Sequence, residues 1–191
     1  MTKKKVAVLI SGDGSNLQAL IDAARMPEYP AQIVLVISNK AEAFGLKRAK
    51  DAGISSVVIN HKDYASREAF DDAMHIELVR HEVEIICLAG FMRLLSERFV
   101  KRWEGRMLNI HPSLLPDFKG AHAVRDALAA GATESGCTVH LVTHEVDSGE
   151  TILQAHVPVM SDDTEETLHQ RIHKEEHRIY PEALKLLTEK L

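Results

Sequence analysis

The 191-residue chain is 45% hydrophobic and 27% charged, which is typical of a globular protein long enough for one well-buried domain, 1–191, and slightly short for two. Its 28 acidic residues outnumber its 23 Lys and Arg residues, and the formal net charge of −5 argues against nucleic acid or an anionic membrane as the main partner. No apolar run approaches the ~18 residues that would span a bilayer, so we expect no membrane association.

Apolar runs of strand length alternate with longer amphipathic stretches through the first 111 residues. The pattern predicts strands over 5–11, 32–38, 55–60, 84–89 and 106–111. Between them it predicts helices over 16–25 and 43–52, a helix capped by Ser66 and reaching His81, and a short helix capped by Ser96 and reaching Trp103. Strands rich in Val, Ile and Leu that are separated by helices indicate a parallel sheet covered on both faces.

The pattern changes after His111. The sequence predicts a mobile loop over 114–121 and a short helix over 124–130. It also predicts that 137–143 and 151–159 form a hairpin appended to the sheet. Thr164 begins a final helix that we expect to be broken or kinked near Pro181. The sequence therefore predicts an α/β fold with a mostly parallel twisted sheet, an antiparallel hairpin and helices on both faces.

Two polar residues stand out at the end of the fifth predicted strand. Asn109 and His111 are two residues apart and so share a face, whereas Leu108 and Ile110 point the other way. An amide can donate to a developing oxyanion, and an imidazole can move a proton near neutral pH. The alternative is a strand end whose polar groups satisfy only the local backbone.

A glycine-containing loop, Ser11-Gly12-Asp13-Gly14-Ser15-Asn16-Leu17, connects the first strand and first helix. Its glycines let the backbone approach a ligand closely, and the helix N-terminus offers free N–H groups to an anion such as a single phosphate. It is not a dinucleotide fingerprint, because Leu17 replaces the third glycine. A tight turn with Ser15 or Asn16 as the N-cap is the alternative.

Asp147 lies in the turn between the two hairpin strands, where an aspartate commonly serves only the turn. A carboxylate brought near His111 by the fold would instead orient the ring and favour its charged form.

Other reactive residues carry weaker signals. Ser113 and Cys137 lack a strand-to-helix elbow and a neighbouring base, so neither is expected to be a nucleophile. His169, His173 and His177 recur every four residues, but no second motif completes a metal site, and we expect a solvated face and no metal. Cys87 and Cys137 lie in apolar runs, which predicts two buried thiols and a reducing, cytoplasmic location.

Residues 88–95 leave the fourth strand as an apolar loop, Leu88-Ala89-Gly90-Phe91-Met92-Arg93-Leu94-Leu95. The side chains could be core packing or could form a wall for a flat aromatic ligand.

The motifs taken together resemble one family. In chain order they are Ser11-Gly12-Asp13-Gly14-Ser15-Asn16-Leu17-Gln18, Ala89-Gly90-Phe91-Met92-Arg93, Asn109-Ile110-His111-Pro112-Ser113-Leu114-Leu115-Pro116, Gly120, Val146-Asp147-Ser148-Gly149, Ile152-Leu153-Gln154 and Glu176-His177-Arg178-Ile179-Tyr180-Pro181. Over essentially its whole length the chain resembles the phosphoribosylglycinamide formyltransferases, the folate-dependent transformylases of purine biosynthesis. The resemblance implies a single-domain, Rossmann-like formyltransferase fold, with substrate binding in the N-terminal half and folate binding and catalysis in the C-terminal half.

The resemblance also implies the reaction and the site residues. A formyl group would pass from 10-formyltetrahydrofolate, the cosubstrate, to glycinamide ribonucleotide, without a metal, in a monomer or homodimer. The implied catalytic residues are Asn109, His111 and Asp147. The residues implied to bind the ribonucleotide are Gly14, Ser15, Asn16, Leu17 and Glu176. The residues implied to bind the folate are Arg67, Met92, Arg93, Leu94, Leu95, Asn109, His144, Val146 and Asp147.

Three other functions share parts of this pattern. Methionyl-tRNA formyltransferases resemble it at Ser113-Leu114-Leu115-Pro116 but need a further C-terminal domain, and formyltetrahydrofolate deformylases usually carry an N-terminal regulatory domain; we expect neither here. A non-catalytic phosphate-binding module would explain the glycine loop and the negative charge. It would not explain Asn109, His111 and Asp147.

Overall fold

The computed structural model describes residues 2–191 and contains one seven-stranded sheet. The strands are β1 (Lys4–Ile10), β2 (Ala31–Ser38), β3 (Ser55–Val58), β4 (Ile85–Leu88), β5 (Met107–His111), β6 (Glu134–Leu141) and β7 (Thr151–Pro158). Their order across the sheet is β3-β2-β1-β4-β5-β6-β7. The first five strands are parallel, and β6 and β7 continue the sheet as an antiparallel pair.

Five α-helices connect the strands from β1 to β6, and a sixth follows β7. They are α1 (Ser15–Ala24), α2 (Gly45–Asp51), α3 (Arg67–Arg80), α4 (Glu97–Arg102), α5 (Ala123–Ala129) and α6 (Glu165–Lys190), with a 3-10 turn at His61–Asp63. The Ser66 hydroxyl accepts the Ala69 N–H at 3.1 Å and the Ser96 hydroxyl accepts the Phe99 N–H at 3.3 Å, so both predicted caps are confirmed.

The helices cover both faces of the sheet, and each face has its own buried apolar cluster. On β5, Leu108 and Ile110 belong to the cluster that includes α1 and α6, whereas Met107 belongs to the cluster under α3 and α4. The two-residue alternation of a strand produces this division. The predicted α/β fold with a mostly parallel sheet, a hairpin and helices on both faces is confirmed.

Two details of the prediction are wrong. Strand β6 begins at Glu134 and ends at Leu141, instead of covering 137–143, because Glu134 and Ser135 pair with Pro158 and Val157 although they are polar. Helix α6 is not broken at Pro181. Proline removes one helix hydrogen bond, but Leu184 and Leu187 beyond it are buried in the core and keep the helix docked.

Helix α6 is also tied to the centre of the sheet. The buried Tyr180 hydroxyl lies 2.7 Å from the carbonyl oxygen of Leu88, the last residue of β4, and 3.2 Å from that of Leu108 on β5, so its proton is shared between two neighbouring strands. The residues of α6 just before Tyr180 are thereby held beside the carboxyl ends of the parallel strands.

The strand order reverses between β1 and β4, since β2 and β3 lie on one side of β1 and β4 and β5 on the other. In open α/β sheets, ligands bind outside the carboxyl ends of the strands at such a switch point. Within residues 2–191, no helix is both long and apolar enough to cross a membrane.

Candidate active site

A cavity of about 430 Å³ opens at the carboxyl ends of β1, β4 and β5. Four parts of the chain line it: the first turn of α1, the segment after β4, the end of β5 with the turn after β6, and α6. The lining residues include Asn16, Gly90, Phe91, Met92, Arg93, Leu94, Leu95, Asn109, His111, Gly120, His140, Thr143, His144, Val146, Asp147, His169, His173 and Glu176.

His111 and Asp147 lie together in this cavity, although 36 residues separate them in the sequence. Nδ1 of His111 is 3.4 Å from Oδ2 of Asp147, and both side chains are almost fully buried. Nε2 of His111 is 2.8 Å from the carbonyl oxygen of Phe118. Each ring nitrogen therefore faces an oxygen acceptor, and only the doubly protonated imidazolium can donate to both.

The backbone at Asp147 is unusual, because its φ of 50° lies in the left-handed region. Aspartate tolerates this region better than most residues. Oδ2 of Asp147 also accepts the Gly120 N–H at 2.9 Å, so one carboxylate joins the β6–β7 turn to the loop after β5.

The carboxyl of Asp147 remains ionised at neutral pH. Burial alone would raise its pKa, but the interaction with His140, the Gly120 N–H and the charges of His111 and His140 together lower the pKa below the usual aspartate value. Asp147 is thus a fixed negative charge beside the His111 ring.

The sequence analysis missed His140, a buried residue on β6 that faces Asn109 directly across the β5–β6 pair. Its Nδ1 lies 2.9 Å from the Leu141 carbonyl oxygen, which places a proton on Nδ1. Its Nε2 lies 3.3 Å from Nδ2 of Asn109 and 3.6 Å from Oδ1 of Asp147.

Nδ2 of Asn109 carries two N–H groups, and the contact with Nε2 of His140 can engage only one of them. Strand alternation could have found His140, because Cys137, Val139 and Leu141 share one face of β6 and His140 lies on the opposite face.

The loop before α1 forms without a side-chain cap. Gly14 occupies the N-cap position with φ 76°, so the alternative with Ser15 or Asn16 as N-cap is wrong. A Cβ at Gly14 would come within 2.8 Å of the Gly45 Cα, and glycine is therefore required by both conformation and space. The Arg48 guanidinium holds this loop through the Asp13 carbonyl oxygen at 2.8 Å and Asp13 Oδ2 at 3.0 Å.

Glu176 is buried on α6 and contacts the first turn of α1. Its Oε2 accepts the Asn16 amide at 3.0 Å and lies 3.5 Å from Nε2 of His173. Burial raises the pKa of Glu176, an effect that Asn16 and the nearby histidines oppose.

The segment 90–95 forms one wall of the cavity and is fixed at both ends. The Met92 N–H donates to Oγ of Ser11 at 2.8 Å, and the Ser96 N–H donates to Oδ2 of the buried Asp71 at 2.7 Å. Between these anchors, Met92 is 69% exposed and Leu94 58% exposed, so neither is core packing.

Most of the predicted site residues line the cavity, but a few do not. Leu17 is fully buried in the apolar core, and Arg67 is an exposed residue at the start of α3 that is outside the lining. Gly14 and Ser15 flank the lining at the start of α1.

The two residues predicted not to be nucleophiles have unreactive surroundings. The Ser113 hydroxyl is buried and donates to the Asp117 carbonyl oxygen at 2.6 Å. Burial and nearby carboxylates raise the pKa of Cys137 to about 12.

Comparison with known proteins identifies the family. The formyl transferase family model matches residues 4–184. The chain belongs to the formyl transferase family. The predicted resemblance to phosphoribosylglycinamide formyltransferases is confirmed as well, as its relatives carry that name.

The phosphoribosylglycinamide formyltransferase of Escherichia coli strain K12 is 48% identical over 176 residues, which are 92% of this chain and 83% of that protein. A crystal structure of the enzyme of that name from Brucella melitensis superposes with a TM-score of 0.94 at 53% identity, covering 98% of this chain and 96% of that one. The trifunctional purine biosynthetic protein adenosine-3 of Chironomus tentans is 58% identical over 188 residues. This chain spans 97% of its own length in that match but 14% of the trifunctional protein.

Proposed function

We propose that this chain transfers the formyl group of 10-formyltetrahydrofolate to the primary amine of glycinamide ribonucleotide, N1-(5-phospho-D-ribosyl)glycinamide. The products are the N-formyl ribonucleotide and tetrahydrofolate, in the de novo route to purine nucleotides. The observation that carries the proposal is the convergence of Asn109, His111 and Asp147 on one cavity that Asn16 and Glu176 also line. The names of the relatives support the same reaction.

The proposed chemistry is a direct acyl transfer. The amine nitrogen attacks the formyl carbon, the bond from that carbon to the folate nitrogen breaks, and the proton lost by the amine passes to the folate nitrogen. Negative charge develops on the formyl oxygen in the tetrahedral intermediate. The second amide N–H of Asn109 would donate to this charge, and the positive charge of a protonated His111 ring beside it would stabilise it further.

Asp147 has two roles in this scheme. Its carboxylate lies 3.4 Å from Nδ1 of His111 and orients the ring. The same carboxylate can hold a water molecule that relays the proton from the amine to the leaving nitrogen.

The folate would bind against the segment 90–95 and the β6–β7 turn. Met92, Leu94 and Val146 expose 69%, 58% and 50% of their surface there and can cover a flat aromatic ring. Arg93, Leu95 and His144 complete this wall. A folate contact by Arg67 remains a prediction, because Arg67 lies outside the lining.

The ribonucleotide would bind at the start of α1. A phosphate there would accept N–H groups from Ser15, Asn16 and Leu17, since Gly14 supplies no side chain and the helix dipole favours an anion. Glu176, held by Asn16, would contact the ribose or the glycinamide.

An absorbance assay for tetrahydrofolate formation tests the proposal. We expect folate product only when glycinamide ribonucleotide is present, with formation of the N-formyl ribonucleotide in equal amount. Folate product without the acceptor would indicate hydrolysis, and binding without turnover would indicate a non-catalytic module. The sedimentation velocity of the same preparation would decide between the predicted monomer and homodimer.

A further inference from the structure

Three histidines on α6 form a cluster that the proposed reaction does not use. His169, His173 and His177 are spaced one helical turn apart, with ring centroids 4.2 Å apart for the first pair and 5.8 Å for the second. All three are partly buried, so the face that the sequence predicted to be solvated is only partly exposed. We call these three residues the histidine ladder. Among residues 2–191, no group of three His, Cys, Asp or Glu side chains is arranged to hold a metal ion.

The histidine ladder faces the first turn of α1. One oxygen of Glu176 lies 3.0 Å from the Asn16 amide and 3.5 Å from Nε2 of His173, so His173 is placed next to Asn16. Gln18 is the first α1 residue whose N–H bonds a backbone carbonyl, that of Gly14 at 2.9 Å. In the described part of the chain, the N–H groups of residues 15–17 are therefore left for a ligand.

Charges of both signs surround the ladder. The groups that act on its titration are Asp13 in the loop after β1, Arg48 on α2, Glu165 and Glu176 on α6, and the neighbouring rings of the ladder itself, with His111 on β5 beyond Glu176. Burial lowers the pKa of all three ladder histidines. Asp13 opposes this effect at His173 and His177, but the net direction is downward. The ladder is therefore largely uncharged at neutral pH.

We infer that the histidine ladder is a proton-linked receptor for the substrate's phosphate, in which a bound dianion draws a proton from solvent onto the ladder, chiefly onto His173. The identity of the anion rests on the proposed function, whereas the proton linkage rests on the geometry of the ladder and α1. A dianion seated on the free N–H groups would lie beside His173, and opposite charges a few ångströms apart favour the charged form of the ring.

The consequence is a pH-dependent affinity. One proton enters the site for each dianion bound, so binding tightens as pH falls toward the ordinary histidine range. Protonated His173 would also form an ion pair with Oε2 of Glu176, which lies 3.5 Å away. The same Glu176 oxygen would continue to accept the Asn16 amide N–H.

Sulfate is the probe that isolates this linkage, because it remains a dianion throughout the histidine titration range, unlike phosphate. Histidine side-chain NMR titrations in sulfate and in chloride at equal ionic strength would measure each ring. We expect sulfate to raise the pKa of His173 by about one unit or more. The pKa of His156, an exposed residue on β7 outside the cavity, should not change and provides the control.

The variant His173→Gln keeps a hydrogen-bond donor but cannot titrate. Calorimetry of ribose 5-phosphate binding in buffers of different ionisation enthalpy should show proton uptake in the wild type and in His156→Gln, and about none in His173→Gln. With glycinamide ribonucleotide, KM should depend on pH more steeply in the wild type than in His173→Gln, while kcat is similar.

An unchanged His173 titration in sulfate, with ribonucleotide turnover intact, would overturn the inference and leave the proposed function standing. A raised His173 pKa in sulfate without any formyl transfer would support the inference and overturn the proposed function. A ladder that only packs α6 against α1 would not respond to an anion.

Discussion

At the scale of single residues, the site depends on contacts that the sequence order conceals. His111, Asp147 and His140 come from three segments, yet Asp147 lies 3.4 Å from one ring and 3.6 Å from the other. The same carboxylate also accepts the Gly120 N–H at 2.9 Å. The charge next to His111 therefore comes from Asp147, whose carboxylate is held by both His140 and the Gly120 N–H.

Removing His111 should affect the chemical step more than binding. His111→Ala is expected to lower kcat by about 10²–10³, because the ring acts on charge that develops only in the transition state. Folate affinity should change little, as the wall 90–95 is intact. Steady-state kinetics together with folate binding by fluorescence would measure both, and His156→Ala is the matched control. A variant that kept more than about a tenth of the wild-type kcat would remove His111 from the proposed mechanism.

The charge of Asp147 should matter as well as its hydrogen bonds. The folded-state pKa of Asp147 is below the ordinary value, so its ionic contribution is present at neutral pH and is lost only as pH falls through that lowered pKa. Asp147→Asn removes the charge at every pH. We expect kcat to fall by about 10² without recovery between about pH 6 and 9, the range that brackets histidine titration.

Asp163→Asn is the control for Asp147→Asn. The Asp163 carboxylate also has a lowered pKa, because Arg171 hydrogen-bonds it, but it lies outside the cavity. If Asp147→Asn showed the wild-type pH–rate profile, the role of Asp147 would be limited to stabilising the β6–β7 turn.

At the scale of elements, the wall 90–95 is a short segment held by two side chains from distant parts of the chain, one just after β1 and one on α3. Ser11 holds Met92 and Asp71 holds Ser96. Because these anchors are buried, the exposed apolar side chains between them keep a fixed position in an otherwise irregular segment.

Loss of the Asp71 anchor should loosen this wall. Asp71→Ala leaves the Ser96 N–H without its acceptor, and we expect a loss of about 1–3 kcal/mol of stability. The KM for the folate should rise, while that for the ribonucleotide, which binds at α1, should remain near the wild-type value. Asp72→Ala, a half-buried neighbour paired with Arg98 and Arg102, is the control and should leave both KM values unchanged.

At the scale of the whole molecule, the order of strands and helices was predictable because the parallel strands β1, β2 and β4 consist mainly of apolar residues and are separated by helical stretches. The start of β6 was not predictable, because Glu134 and Ser135 pair with β7 although they are polar. The continuity of α6 through Pro181 was equally hidden, because it depends on packing of Leu184 and Leu187. Asn109 and His111 could be paired from spacing alone, whereas the partner role of His140 depends on the register of β5 and β6. The catalytic and binding roles remain predictions.

The last prediction concerns the stability of the molecule as a function of pH without ligand. The three ladder histidines have folded-state pKa values below the ordinary one, so the unfolded chain binds more protons than the folded chain near pH 6. Stability then rises with pH through this window and falls as pH decreases. Asp71 and Glu176 have raised values and oppose this trend, so the wild-type curve alone does not isolate the histidines.

A variant with His169→Gln, His173→Gln and His177→Gln removes the ladder's contribution and keeps those of Asp71 and Glu176. Between about pH 7.5 and 5.5, urea unfolding should therefore show the free energy of unfolding falling more in the wild type than in the triple variant. In saturating sulfate the difference should shrink or reverse, because a bound dianion compensates the proton on His173 in the folded state. Parallel curves for the two proteins in chloride would mean that the folded ladder titrates like histidines in an unfolded chain.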